Sequence, residues 1–207
     1  MYRATLLFLA LSSATHASTS DESDLRGIAA TVGASLEAGK MENGGMGLQS
    51  RTMTAISLEA LPGYRFSRRW LVGLDFDYRF QQQQASLANA GGTNLAGKGW
   101  LLGIGAQYHW NPKWAVQAGF DFLGKYSFDR QTANQQDNHL GAPLWLRAKA
   151  QRLIADSWSL DAVANYGVWK QFTVQGVDHS ESTKQWMIGL GVTYHFDGLT
   201  RHQDTEN

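Results

Sequence analysis

In the stretch QWMIGLGVTYHF, residues 185–196, every second side chain is apolar. Successive side chains of an extended strand point to opposite faces, so Trp186, Ile188, Leu190, Val192, Tyr194 and Phe196 share one face. Met187, Gly189, Gly191, Thr193 and His195 share the other. Aromatic rings close both ends of the apolar face and aliphatics fill the middle. That order suits a surface that crosses hydrocarbon, because Trp and Tyr prefer the two membrane interfaces. The pattern predicts a β-strand that spans a bilayer.

The alternation recurs along the chain. Strands are expected over 27–38, 52–66, 70–80, 99–110, 114–128, 140–152 and 158–174, with 185–196 as the eighth. The connections between them alternate between short links and long polar loops at 39–51, 81–98, 129–139 and 175–184. An up-and-down meander requires this, with tight turns on one rim and loops on the other. Trp70, Trp114 and Trp158 each open the strand after a short link and recur at one spacing, 114 − 70 = 44 and 158 − 114 = 44. One hairpin therefore occupies one repeat. Four hairpins give an even number of strands, so the first can pair with the last and both exposed edges disappear. The expected fold is all-β, an eight-stranded antiparallel up-and-down transmembrane β-barrel.

A second regularity sits at the strand ends: Tyr64-Arg65-Phe66, Tyr78-Arg79-Phe80, Tyr108-His109-Trp110 and Tyr194-His195-Phe196. In each triplet the two rings point outward at headgroup depth and the basic residue points inward. Tyr64, Phe66, Trp70, Trp110, Trp114, Trp158, Tyr194 and Phe196 form the expected aromatic girdle of the short-turn rim.

Alternation does not say which face is outside, so a water-soluble barrel with an apolar interior is the competing fold. Its exterior would be the face bearing Gly33, Gly73, Gly103, Gly105, Gly119, Gly189 and Gly191, which offers few charges. Its interior would have to hold Trp70, Trp100, Trp110, Trp114, Trp158 and Trp186 together. Eight strands enclose too little space for that.

Composition narrows the class. The 207 residues allow one domain, and the absence of cysteine excludes a disulfide scaffold or a thiolate metal site. Formal charge is +0, which provides no field to recruit nucleic acid. Arg3, the apolar run from Leu6 to Leu11, and Thr15-His16-Ala17 read as a secretory signal peptide over 1–17, cleaved after Ala17. The run is too short to span a bilayer, and no later stretch approaches the roughly 18 apolar residues of a transmembrane helix. The barrel is expected over 18–196, with a short polar periplasmic tail over 197–207.

These features together resemble the small outer-membrane β-barrel proteins of Gram-negative bacteria, the OmpA/OmpX-like group. The closing signature Val192-Thr193-Tyr194-His195-Phe196 is the most motif-like part of that resemblance. It implies a cell-envelope location, recognition of the final strand by the barrel-assembly machinery, and contact with outer-membrane lipid and lipopolysaccharide. The long loops would meet a ligand outside the cell, of unknown identity. This sequence departs from the group by continuing past Phe196.

The inward positions carry Glu37, Glu59, Asp75, Asp77, Asp121 and Asp161 against Arg65, Arg79, Lys125, Arg147 and Lys149. Charges of both signs in a narrow lumen predict a self-plugged network. Counting back from the short turns sets Glu59 opposite Asp77, a like-charge pair that needs a cation between its members. The same count sets Lys149 opposite Asp161. Arg147 and Arg79 are the nearest partners for the acidic cluster, because a planar guanidinium bridges two carboxylates.

Signs of chemistry are few. His179, Ser180 and Ser182 lie in a polar stretch with Asp178 and Glu181. The lipid A deacylases and acyltransferases of the resembling group carry groups of this kind near the outer rim. His179 and Ser182 do not match the deacylase spacing, and the polar-loop reading is preferred. His109 and His195 both point inward near one rim without a metal-ligand spacing. No cofactor and no metal are expected. The function expected is a structural or surface-interaction role. The alternatives are a lipid A-modifying enzyme and a small channel.

Overall fold

The computed structural model describes residues 26–43, 51–83, 95–129, 139–155, 157–174, 177–179 and 182–196. Nine strands run in chain order: β1 Gly27–Asn43, β2 Arg51–Arg65, β3 Trp70–Gln83, β4 Leu95–Asn111, β5 Trp114–Asp129, β6 His139–Ala155, β7 Trp158–Val174, β8 Val177–His179 and β9 Thr183–His195. All pairings are antiparallel. Neighbours in sequence pair from β1 to β7, β7 pairs with β9, and β9 returns to β1. The result is a closed barrel of eight strands, with β8 a three-residue strand against the end of β7. Closure leaves no barrel strand with an unpaired edge, which is the condition for β-structure within hydrocarbon. The signal-peptide segment 1–17 and the tail 197–207 lie outside the described residues.

Outward and inward sets separate as alternation requires. Leu36, Leu74, Ile104, Leu146, Leu160, Ile188 and Leu190 are exposed on the outer surface, whereas Glu37, Asp75, Asp77, Arg147 and Asp161 are buried inside. An apolar exterior around a charged interior inverts a soluble protein and rules out the water-soluble barrel.

Local chemistry sets the tight turns. Asn111 Oδ1 accepts hydrogen bonds from the backbone of Lys113 at 2.8 Å and Trp114 at 2.9 Å, an Asx turn that reverses the chain between β4 and β5. At this rim Trp70 packs at a tilt against its cross-strand partner Tyr108, with ring centroids 4.7 Å apart, and Trp158 meets Tyr194 edge to face at 5.0 Å. The strands nearer the loops run longer than the sequence suggested: β1 continues to Asn43, β3 to Gln83, and β4 begins at Leu95.

Two departures from even alternation matter. Leu102 pairs with Leu123 while Gly103 pairs with Asp121, so Phe122 is an extra residue in β5. A bulge of this kind reverses the parity of everything beyond it. Phe122 and Leu123 both face out, Tyr126 turns into the core at 2% exposure, and Lys125 moves to the outer side. This corrects the expected placement of Lys125 in the lumen and of Tyr126 outside. In β6, Ala142 adopts a left-handed φ of 47°, and both preceding residues, Leu140 and Gly141, are buried.

The turn between β6 and β7 is tighter than expected. β6 runs to Ala155, which pairs with Trp158, and the ladder shifts by one at Ile154. Lys149 therefore lies opposite Val163, and Asp161 lies opposite Gln151. The expected Lys149–Asp161 register is corrected by two residues, although their side chains still meet diagonally.

Candidate functional site: the charged lumen

All eight barrel strands contribute to one buried polar network. At its centre the guanidinium of Arg147 on β6 reaches across the lumen to four carboxylates. Nη1 lies 3.0 Å from Asp75 and 3.3 Å from Glu59, and Nη2 lies 2.8 Å from Asp77 and 3.4 Å from Asp121. Glu59 and Asp77 are indeed cross-strand partners, and Arg147 is the cation between them. Charge-assisted hydrogen bonds in a fixed fork make arginine suited to this task, where lysine offers a single point.

Arg79 anchors a second node. Its Nη2 donates to Glu37 at 2.9 Å and its Nε to Asp77 at 2.5 Å. Asn165 on β7 also donates to Glu37, at 2.9 Å. Ser35 donates to Glu37 at 2.9 Å and to Glu59 at 3.2 Å, and Ser57 donates to Asp77. Lys149 pairs with Glu59 and lies 3.8 Å from Asp161.

Toward the short-turn rim the network continues through hydroxyl, amide and imidazole groups around Asp161. Asp161 accepts hydrogen bonds from Ser159 at 2.7 Å, from Gln151 at 3.4 Å and from Thr193. Gln107 donates to Gln151 at 2.7 Å, and its Oε1 lies 3.2 Å from His109 Nε2. His195 Nε2 lies 3.1 Å from Ser159 Oγ, and the two histidine rings are 6.0 Å apart between centroids. Arg65 is buried at this end and donates to the backbone oxygen of Arg68 at 3.3 Å. Among the described residues no three histidine or carboxylate side chains are arranged so that they could hold a metal ion.

Apolar side chains flank the network. At the turn rim Ala29, Leu61 and Leu71 cluster at the level of the polar groups, Leu71 in register with both Arg65 and Gln107. Above the network, Met41, Met53, Leu101, Tyr126, Leu140, Trp145, Trp169 and Met187 form a lid on the loop side. The lid is joined to the network: Arg79 stacks 4.6 Å over the Trp145 ring and donates to Met187 Sδ at 3.4 Å. Trp169 Nε1 donates to Gln185 at 3.1 Å, which in turn donates to Gln81 at 3.2 Å. Trp145 lies flat against Gly167, its partner in register, where a Cβ would collide with the indole.

Of the charged residues expected in the lumen, Glu37, Glu59, Asp75, Asp77, Arg79, Asp121, Arg147, Lys149 and Asp161 are brought together, Arg65 sits at the turn end, and Lys125 leaves. The neutral partners Gln107, Gln151, Ser159 and Asn165 were not singled out from sequence, although each occupies an inward position that alternation marks. Of the candidates for catalysis, Ser180 lies outside the described residues. His179 lies in β8 but its side chain is not described, and Ser182 directly precedes β9. The expected girdle residues Tyr64, Phe66, Trp70, Trp110, Trp114 and Trp158 are exposed on the outer surface, and Tyr194 and Phe196 are partly so.

A closed eight-stranded antiparallel barrel with an apolar exterior, an aromatic girdle and a charged interior defines a small outer-membrane β-barrel protein. The family model of the outer membrane protein beta-barrel domain matches residues 82–201, and the chain belongs to this family. Its place is the outer membrane. No curated protein matches the chain. Among solved structures it is similar to Neisserial surface protein A, with 16% identity, 80% of this chain and 97% of that chain covered, and a TM-score of 0.51. It is also similar to the attachment invasion locus protein Ail of Yersinia pestis, with 14% identity, 81% and 99% coverage, and a TM-score of 0.46. The outer membrane enzyme PagL matches with 10% identity, 77% and 97% coverage, and a TM-score of 0.47. At these identities the likeness is one of fold.

Proposed function

We propose that the chain is a closed, non-conducting barrel of a Gram-negative outer membrane, whose role is structural or surface-interacting and whose working surface is the loop end. One observation carries this reading: Arg147 is held by Glu59, Asp75, Asp77 and Asp121 from three other strands, beneath the lid of Trp145, Trp169 and Met187. A cross-lumen anchor under an apolar lid opposes a continuous column of water and ions.

In this reading the leader 1–17 is cleaved after Ala17, the barrel-assembly machinery recognises the final strand ending at Phe196, and the tail 197–207 stays in the periplasm. The loops then meet lipopolysaccharide and a ligand outside the cell. Planar-bilayer recording tests the closed lumen: the purified barrel gives no steady current, and stable ohmic channels would move the function to a pore. A lipid A mass profile with and without the gene tests the enzymatic alternative. An unchanged profile is expected, and the gene-dependent loss or gain of an acyl chain would overturn the reading.

A further inference from the structure

Among the described residues the lumen buries Glu37, Glu59, Asp75, Asp77, Asp121 and Asp161 against Arg65, Arg79, Arg147 and Lys149, an excess of 6 − 4 = 2 negative charges. The bulge at Phe122 creates part of that excess by sending Lys125 outward. The carboxylates do not share it evenly. Glu37, Glu59, Asp77 and Asp161 each accept from several side chains. Asp75 and Asp121 meet Arg147 alone, through Asp75 Oδ1 and Asp121 Oδ2. Their other oxygens, Asp75 Oδ2 and Asp121 Oδ1, are buried and accept no hydrogen bond.

Both oxygens belong to one notch in the wall. Asp75 is in register with Gly103 of β4, and Gly103 with Asp121 of β5, so the two aspartates flank a residue without a side chain. Across that gap Asp75 reaches β5, where a Cβ added at Gly119 would collide with Asp75 Oδ2. A glycine inside a strand marks such a close approach. Gln117, Gly119 and Asp121 are alternate residues of β5 and share its inward face. Asp75 Oδ2 therefore sits between the side chains of Gln117 and Asp121. Gln117 is 4% exposed, and its Oε1 also lacks a donor.

Buried oxygens left without a donor or a cation are costly, charged ones most of all. A single proton would join the two carboxylates and leave Gln117 Oε1 with nothing. A cation serves all three oxygens and reduces the excess charge. A calcium-like ion asks for at least about six oxygens, and Arg147, which already holds both carboxylates, opposes a double charge. We propose that the Gly119 notch binds one small alkali cation, sodium, through Asp75 Oδ2, Asp121 Oδ1 and Gln117 Oε1. The site rests on the same network that carries the closed-lumen reading. Bound sodium is read without any current, so a barrel that conducts yet binds the ion would sink only that reading.

The test folds the barrel in phosphatidylcholine vesicles in sodium chloride, or in choline chloride at the same ionic strength, since choline is too large for the notch. Equilibrium dialysis with radioactive sodium in excess choline should find a single bound ion. In urea unfolding, each tenfold rise in sodium above the dissociation constant should shift the equilibrium about tenfold toward the folded barrel. Choline alone should not shift it. Asp121→Asn and Gly119→Ala should abolish the sodium response, whereas Gln117→Glu, which puts a carboxylate in place of the amide oxygen, should bind the ion more tightly. Asp161→Asn removes the same charge from the same lumen on β7 and should keep the tenfold shift. No bound sodium, an equal shift in choline, or an unchanged response in Asp121→Asn would each overturn the proposal. Stability indifferent to sodium but lost as pH rises would overturn it in favour of a shared proton. The dialysis needs no variant, so it decides even if a variant fails to fold.

Discussion

Glu59 and Asp77 face each other across β2 and β3, and the guanidinium of Arg147 lies 3.3 Å from the first and 2.8 Å from the second. Two like charges in register inside a barrel repel unless a cation joins them. Here the cation comes from β6, across the lumen, and holds Asp75 and Asp121 as well.

Removing that cation leaves four carboxylates buried with less compensation. Arg147→Ala is expected to cost about 3–5 kcal/mol, measured as urea-induced unfolding in lipid vesicles followed by tryptophan fluorescence. Adding Asp77→Asn to Arg147→Ala should recover part of the loss. An Arg147→Ala barrel as stable as the wild type would show that the network contributes nothing to the fold.

The bulge at Phe122 makes a sharp distinction between two lysines that even alternation treats alike. Lys125→Gln is expected to change stability by no more than about 0.5 kcal/mol, as at an ordinary surface position. Lys149→Gln, which leaves Glu59 and Asp161 short of a partner, should cost several times more. Equal losses in the same unfolding assay would return Lys125 to the lumen.

Gly167 supports the lid by letting Trp145 lie against the backbone of β7. Gly167→Val should displace the indole, loosen the Arg79 stack and destabilise the barrel by about 1–3 kcal/mol. Gly27→Ala serves as the control, because a Cβ there meets nothing within 4 Å. Near-ultraviolet circular dichroism should change for the first variant alone.

Leu190 is 73% exposed on the outer surface of β9, away from both girdles. Leu190→Arg places a charge in hydrocarbon and should cost about 2–4 kcal/mol. Thr193→Ser keeps the hydroxyl that donates to Asp161 and should change little. Similar folding yields for the two in vesicles would mean that the faces are reversed.

Much of this was legible in the sequence because the information is local. Which face a residue takes depends on a period of two, so the outward girdle from Tyr64 to Phe196 and nearly all the inward charges follow from counting along one strand. The number of strands and their closure follow from the alternation of short and long links. The register of Glu59 with Asp77 follows from a short turn with no irregularity.

Register beyond an irregularity was not legible. One extra residue at Phe122 sends Lys125 out and Tyr126 in, and a β6–β7 turn tighter than its composition suggests moves Asp161 two residues from Lys149. A bulge exists only as a mismatch between two ladders, so neither strand records it alone. The tertiary structure also decided which carboxylates Arg147 holds. Glu59, Asp75, Asp77 and Asp121 come from three strands that meet its guanidinium only once the sheet has closed across the lumen. Up to such an irregularity, sequence alone determined what each strand offers to lipid and to the interior, because side-chain direction alternates along an unbroken strand. Only closure decided which charges meet, because that depends on how far and at what register the strands wrap around the axis.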